Sequence, residues 1–177
     1  KKIVITCRDV TDQVETEEEL RRVQVDLQHA AYHDDLTGLA NRKRLSEYFA
    51  STLVSERLNN HGIGVLQLDV DKFKEINDTL GHAAGDATLV HVADALHTAC
   101  DPNDLVCRTG GDEFLIVCLR INDPDSLINR AERLLREIST PLQRTDQTIR
   151  IGISIGASLC TSGNCTGEAL IQQADQA

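Results

Sequence analysis

The hydrophobic positions of this chain change period several times, and each change marks an element. From Glu15 to Ala31 the residues Leu20, Val23, Leu27 and Ala30 recur at three and four positions among charged neighbours, the spacing of a short helical seam. Asn41 to Leu58 carries Leu45, Phe49, Leu53 and Leu58 at near-helical spacing, and Asp86 to Cys100 carries Leu89, Val92, Ala93 and Leu96 in the same way, so both stretches predict amphipathic helices. Between them, Gly64 to Leu68 reads as an apolar strand. Asp123 and Pro124 supply an N-cap and a first-turn proline to a further helix running through Ile128, Leu134, Leu135 and Ile138. The period then falls to two: Ile149, Ile151, Ile153 and Ile155 alternate with Arg150, Gly152, Ser154 and Gly156, which predicts one half-buried strand. At the N-terminus, Lys2 to Asp12 reads as a short strand entering a turn.

Two interruptions of the apolar pattern carry the candidate chemistry. Leu105 and Val106 on one side and Phe114 to Leu119 on the other are β-formers, so the segment predicts a hairpin whose tight turn holds Gly110, Gly111, Asp112 and Glu113. Glycine there supplies a positive φ and leaves the backbone open to a ligand. Alone, the turn reads equally well as an ordinary hairpin with solvated acids. The second interruption follows Leu68, where Asp69 and Asp71 close the strand and Phe73, Lys74, Asn77, Gly81, His82, Gly85 and Asp86 come after. Alone, Asp69 and Asp71 would be a solvated strand end. Carboxylates at two strand ends can converge on one point, and a hard cation such as Mg2+ takes oxygen ligands while leaving positions for phosphates and water.

The chain has 177 residues and 41% hydrophobic content, which suits one core-bearing domain with a short extension. Twenty-eight acids against eighteen bases leave a net charge of −10 and argue against a nucleic-acid polymer as partner, because phosphate contacts need a basic stripe. No apolar run approaches a membrane span and no signal peptide is visible, so no membrane contact is expected from this segment and the expected location is the cytoplasm. The six cysteines, Cys7, Cys100, Cys107, Cys118, Cys160 and Cys165, contain no Cys-x-x-Cys spacing and read as reduced, mostly buried thiols. Cys107 and Cys118 fall on the two arms of the hairpin and could face each other. His29 and His33 have the i, i+4 spacing of a metal pair, but no third ligand is in sight.

Three ordered motifs resemble one family, the GGDEF-domain diguanylate cyclases of bacterial cyclic di-GMP signalling. Asp34-Asp35-Leu36-Thr37-Gly38-Leu39-Ala40-Asn41-Arg42 resembles the family's opening motif, Asp69 to Asp86 matches its second element without a gap, and Arg108 to Phe114 contains its signature. The resemblance covers Tyr32 to Ala177. It implies an α+β domain of βααββαβ order, the nucleotidyl-cyclase and polymerase-palm (ferredoxin-like) plan, with an antiparallel-containing sheet and helices covering one face. The implied reaction joins two GTP into cyclic di-GMP and releases two pyrophosphates. It depends on Mg2+, with Mn2+ as a substitute, and needs a homodimer because each copy holds one GTP. A triphosphate carried in with Mg2+ suits an acidic chain, since the metal offsets part of the repulsion.

Carried onto this sequence, the resemblance makes Asp69 and Asp112 the metal-binding carboxylates and adds the backbone carbonyl of Val70. Asp112 would also activate the ribose 3′-hydroxyl, as base or through the metal, with Glu113 beside it holding the metal or the ribose. Lys74 would offset phosphate charge in the transition state. Phe73, Gly110 and Gly111 would border the bound GTP. Asn77 and Asp86 would read the base, because a carboxylate accepts from both N1–H and the N2 amino group of guanine and adenine offers neither. His82 would line the same pocket, with packing under Gly81 and Gly85 as its plainer reading. Asp86 has a plainer reading as the N-cap of its helix.

The resemblance also divides the chain. Residues 1–12 resemble the tail of a PAS-type sensor domain, 13–31 a signalling helix, and 32–177 the cyclase domain, so the chain is expected to come from a longer protein. Two departures stand out. The family's product-inhibition motif, Arg-x-x-Asp, falls on Asp101-Pro102-Asn103-Asp104, where the arginine is missing, so feedback through it should be weak or absent. The chain also stops at Ala177, three residues past the Ala174 that opens a family segment carrying phosphate-contacting bases, which lowers the turnover expected of this fragment. The competing class is a catalytically weak GTP-binding module regulating a tethered cyclic di-GMP phosphodiesterase domain.

Overall fold

A computed structural model describes residues 11–58, 61–144, 147–161 and 165–177. Along the chain run α1 (Thr11–Tyr32), α2 (Arg42–Leu58), β1 (Ile63–Val70), α3 (Phe73–Leu80), α4 (His82–Ala99), β2 (Leu105–Gly110), β3 (Glu113–Leu119), α5 (Pro124–Ile138), β4 (Leu142–Arg144), β5 (Gln147–Ile149), β6 (Ile153–Cys160) and α6 (Gly167–Asp175). The expected βααββαβ order is β1-α3-α4-β2-β3-α5-β6. Its four strands form one sheet in the order β2-β3-β1-β6, with every neighbouring pair antiparallel. A small β4–β5 hairpin is inserted before β6.

Strand alternation sorts the core into two layers. Leu66, Leu68, Phe114, Ile116 and Cys118 face Leu89, Val92 and Leu96 of α4 and Leu134 and Ile138 of α5. Ile63, Val65, Leu115 and Val117 face the other way, against Leu45 and Phe49 of α2 and Leu170 and Ala174 of α6. Helices therefore cover both faces, not the one expected. The reason is legible in β1 and β3, whose central residues form near-continuous apolar runs suited to strands buried on both sides.

Several boundaries differ from the sequence reading. Helix α4 begins at His82, four residues before Asp86. Gly81, at φ 84°, ends α3 by donating to the Asn77 carbonyl and starts α4 by accepting from Ala84, so Asp86 is not an N-cap. The alternating isoleucine run is two strands. At the break the Gly152 carbonyl accepts from the Asp71 amide at 3.0 Å, and a side chain at 152 would collide with the Asp71 carboxyl. Helix α5 keeps the predicted Asp123 cap, whose carboxyl accepts from Ser126 N at 2.8 Å, but buries Leu127 with Leu134 and Ile138 while Ile128 and Leu135 stay exposed. Thr11 and Asp12 already belong to α1, and the rest of the predicted N-terminal strand lies outside the described residues.

The cysteine reading needs two corrections. Cys160, at the end of β6, and Cys165, just before α6, form a disulfide with Cα atoms 6.2 Å apart. Cys107 pairs across the hairpin with Leu115 and packs in one layer, whereas Cys118 packs in the other, so the two thiols cannot meet. Burial pushes the Cys100, Cys107 and Cys118 thiols up to about 12. The His29 and His33 rings stack 4.1 Å apart, and among the described residues no group of three or more His, Cys, Asp or Glu side chains forms a metal-holding arrangement.

Two polar clasps fix the sheet's edge. The segment after α1 is tied down by Asn41, whose amide donates to the Ala31 and His33 carbonyls and whose Oδ1 accepts from Arg44 N, capping α2. Ala40 then bridges β2 through bonds with Val106 and Arg108. Beside it, Arg108 Nη1 donates to Asp34 Oδ1 at 2.9 Å, and that oxygen also accepts from Thr37 N and Oγ1. Burial raises the Asp34 carboxyl, but the hydrogen bonds from Thr37 and Arg108 outweigh it and hold Asp34 below the ordinary aspartate range. At the other end of β2, Asp104 is buried, with its side chain 2% exposed, and meets Arg130 of α5 at 2.5 Å while accepting from Leu119 N. Arg130 and Arg133 also hold the half-exposed Asp101.

These clasps make two predictions for unfolding in urea. Asp104→Ala leaves Arg130 half-buried without its main partner and should cost about 3 kcal/mol, whereas Asp101→Ala, at the half-exposed partner, should cost under about 1 kcal/mol. Equal costs would contradict the assignment. Asp34 has a depressed folded pKa, so its contribution is present above the ordinary aspartate pKa of about 4 and lost as pH falls through the folded value. Asp34→Asn should therefore be less stable than the parent at pH 7, with the gap closing below about pH 4. A gap that persists into acid would contradict it.

Candidate active site

The pairing of β1 with β3 sets Asp69 directly opposite Glu113, and the pairing of β1 with β6 sets Ser154 on its other side. Alternation points all three away from the layer that holds Leu68 and Phe114. The hairpin closes with Gly110 paired to Glu113, so only Gly111 and Asp112 form the turn, tighter than the four-residue turn read from sequence. Gly110 and Gly111 have φ of 150° and 54°, which residues with side chains rarely adopt. The turn folds back over β1, where Val70 N donates to the Asp112 carbonyl at 3.3 Å. Thus Asp69, Val70, Asp112 and Glu113 stand together at one end of the sheet.

The electrostatics record this convergence. Burial raises the Asp69 carboxyl, and the negative charges of Asp112, Glu113 and Asp71 push it up further. Asp71 is oriented by Ser154, whose Oγ donates to its Oδ1 at 2.7 Å. Among oxygen donors of this kind, a cluster of mutually repelling carboxylates suits a hard divalent cation.

Lys72 joins β1 to α3 in a left-handed conformation, φ 57°, which is costly for a residue with a side chain. It starts a helix that carries Phe73 and Asn77 on the side facing α4, and Lys74 into solvent. At Gly85 the two helices touch: any Cβ there would meet the Asn77 amide and the Phe73 ring, so only glycine allows this approach. Asp86 is the next residue of α4 and is exposed. His82 is exposed at the start of α4, which does not match a histidine packed under Gly81 and Gly85. The structure therefore gathers Asp69, Val70, Asp112 and Glu113 at the strand ends and Phe73, Asn77 and Asp86 at the helix pair.

Sequence reasoning passed over Arg108 as a working residue. Besides gripping Asp34, its guanidinium donates through Nε and Nη2 to the Gly111 carbonyl at 3.0 and 2.7 Å. It holds the turn from below and links it to the segment following α1. The signal was present as an arginine two residues before a Gly-Gly turn, but its partner Asp34 lies too far away in sequence for spacing to reveal.

The family model described as "Diguanylate cyclase, GGDEF domain" matches residues 31–177. An uncharacterized signaling protein of Caulobacter vibrioides is 35% identical over 175 residues, covering 98% of this chain and 21% of that protein. Diguanylate cyclase TpbB of Pseudomonas aeruginosa is 35% identical over 152 residues, covering 85% of this chain and 35% of that protein. The crystal structure of the coiled coil and GGDEF domain of DgcB from Caulobacter crescentus, in complex with c-di-GMP, superposes with a TM-score of 0.85 at 27% identity, covering 95% of this chain and 89% of that one. The chain thus spans about a fifth to a third of the length of these two curated relatives. With its motifs at the strand ends and helix pair just described, the chain belongs to the diguanylate cyclase GGDEF-domain family.

Proposed function

We propose that this domain condenses two GTP into cyclic di-GMP and two pyrophosphates, working as a homodimer. The observation that supports the reading is the pairing of Asp69 with Glu113 at one sheet end, where Val70 also bonds Asp112, in a chain of the diguanylate cyclase GGDEF-domain family. Phosphoryl transfer between two bound nucleotides needs acids at the reacting end and a base-reading site within one nucleotide's reach, and α3 begins three residues after the Val70 that ends β1.

The residues fit Mg2+ or Mn2+ by their chemistry: the carboxylates of Asp69 and Asp112 and the carbonyl of Val70 are hard oxygen donors, and the charge crowding at Asp69 favours a cation. The bound metal would lower the pKa of a ribose hydroxyl and neutralise phosphate charge. Asp112, on the turn that Arg108 grips, would take the 3′-hydroxyl proton, and Glu113 would orient the ribose. Lys74, exposed on the first turn of α3, would reach the phosphates where negative charge builds up. Gly110 and Gly111 keep the turn free of side chains that would block the nucleotide. Asn77 and Asp86 would read guanine at the α3–α4 mouth, between Phe73 and the exposed His82. One domain positions one nucleotide, so the second hydroxyl must come from the partner's GTP.

Helix α1 is the candidate dimer device. Leu20, Val23 and Leu27 on it are 66%, 49% and 66% exposed, an unpaired apolar seam that a second copy would cover, with an upstream sensor altering the pairing. The stretch from Asp101 to Asp104 is engaged by Arg130 and Arg133, which agrees with little product feedback through that stretch.

The test is incubation of the full-length protein with GTP and Mg2+, following cyclic di-GMP and pyrophosphate. Product is expected, with Asp112→Asn lowering it by about 100-fold or more. Saturable GTP binding without product would move the assignment to a regulatory GTP-binding module. For base reading, Asp86→Ala should lower kcat/KM for GTP by about 10- to 100-fold, the loss of a charge-assisted pair. An unchanged GTP preference would place the base elsewhere.

A further inference from the structure

A cavity of about 690 Å³ opens between α2 and the start of α6, on the face of the sheet opposite α3 and α4. Its volume falls within the range of small-molecule sites. Leu45, Phe49 and Ile171 give it an apolar wall. Gln67 of β1 lines it too, and the state of its amide is informative. Gln67 Nε2 donates to Asp175 Oδ1 at 3.0 Å, while Oε1 is buried without a hydrogen-bond partner. A carboxylate only accepts, so Asp175 holds the amide nitrogen and leaves the oxygen as an acceptor awaiting a donor. The charged lining consists of Glu113 and Glu168 against Arg42, a net negative balance.

From these features we propose that the cavity binds a small cation with a flat apolar body and N–H donors. One donor would satisfy Gln67 Oε1, the body would lie against Phe49 and Leu45, and the positive charge would answer the two glutamates. Because Glu113 is shared with the acid cluster, an occupant would be felt at the sheet end. The proposal rests on the cavity and goes beyond the cyclase reading.

The probe is benzamidine, with benzamide as the neutral and benzoate as the anionic match in shape, titrated into the 15N-labelled protein and followed by NMR. Benzamidine is expected to shift the Gln67 side-chain amide and the Leu45, Phe49 and Ile171 backbone signals saturably in the millimolar range. Benzamide and benzoate should bind more weakly. Gln67→Leu should weaken benzamidine by about tenfold. Ala50→Trp, which fills the cavity from an exposed position on α2, should abolish binding while keeping a dispersed spectrum. Benzoate binding as tightly as benzamidine, binding unaltered by both variants, or no saturable shift up to about 20 mM would overturn the proposal. So would competitive displacement by GTP with Mg2+, which would make the cavity part of the nucleotide site.

Discussion

The antiparallel pairing of β1 with β3 is the constraint on which the rest of this domain depends. Its register sets Asp69 against Glu113, and the same ladder buries Leu68 against Phe114 one residue away. Because side chains alternate, a slip of one residue would turn the acids into the α4–α5 core and push the leucines into the α2–α6 layer already filled by Val65, Leu115 and Val117. The hydrophobic layers on both faces make such a slip prohibitive, so the core itself holds the acids at the sheet end. The charge crowding at Asp69 is a cost that this packing imposes and a cation would relieve.

A second layer of control comes from Arg108. Its guanidinium joins the Gly111 carbonyl to Asp34, and Asp34 lies two residues beyond the end of α1. A movement of α1 is thereby connected to the turn that carries Asp112 through a short chain of hydrogen bonds. The exposed seam of α1 and this clasp together offer a route by which helix pairing would bear on the acid cluster. Asn41 stiffens the same junction by holding the end of α1 and capping α2 at once.

Much of this was legible in the sequence, for identifiable reasons. The strands β1 and β3 announced themselves because apolar runs ended at acids or glycines, and the Asp123 cap marked α5 to the residue. What escaped depended on contacts between distant residues. The start of α4 was hidden because His82 to Asp86 contains no large apolar residue to begin a period, while Gly81 sets the boundary through backbone geometry. The isoleucine run misled because Ile151 is buried in a crossing segment and not in a ladder, and alternation cannot distinguish the two. The Cys160–Cys165 bond and the Arg108–Asp34 grip are invisible to spacing, since neither belongs to a recognised spacing motif. The acids of the candidate site were all named from their motifs, but their convergence follows only from the register.

The central proposal is that the β1–β3 register brings the carboxylates of Asp69 and Asp112 and the carbonyl of Val70 together so that a cation would be held there, beside Glu113. It is tested most directly by adding sub-stoichiometric Mn2+ to the 15N-labelled protein and mapping paramagnetic broadening of the backbone signals. The account predicts that the signals of residues 69–71 and 110–113 broaden first and recover on addition of excess Mg2+. First broadening at other acidic surfaces, with these signals unaffected, would contradict it.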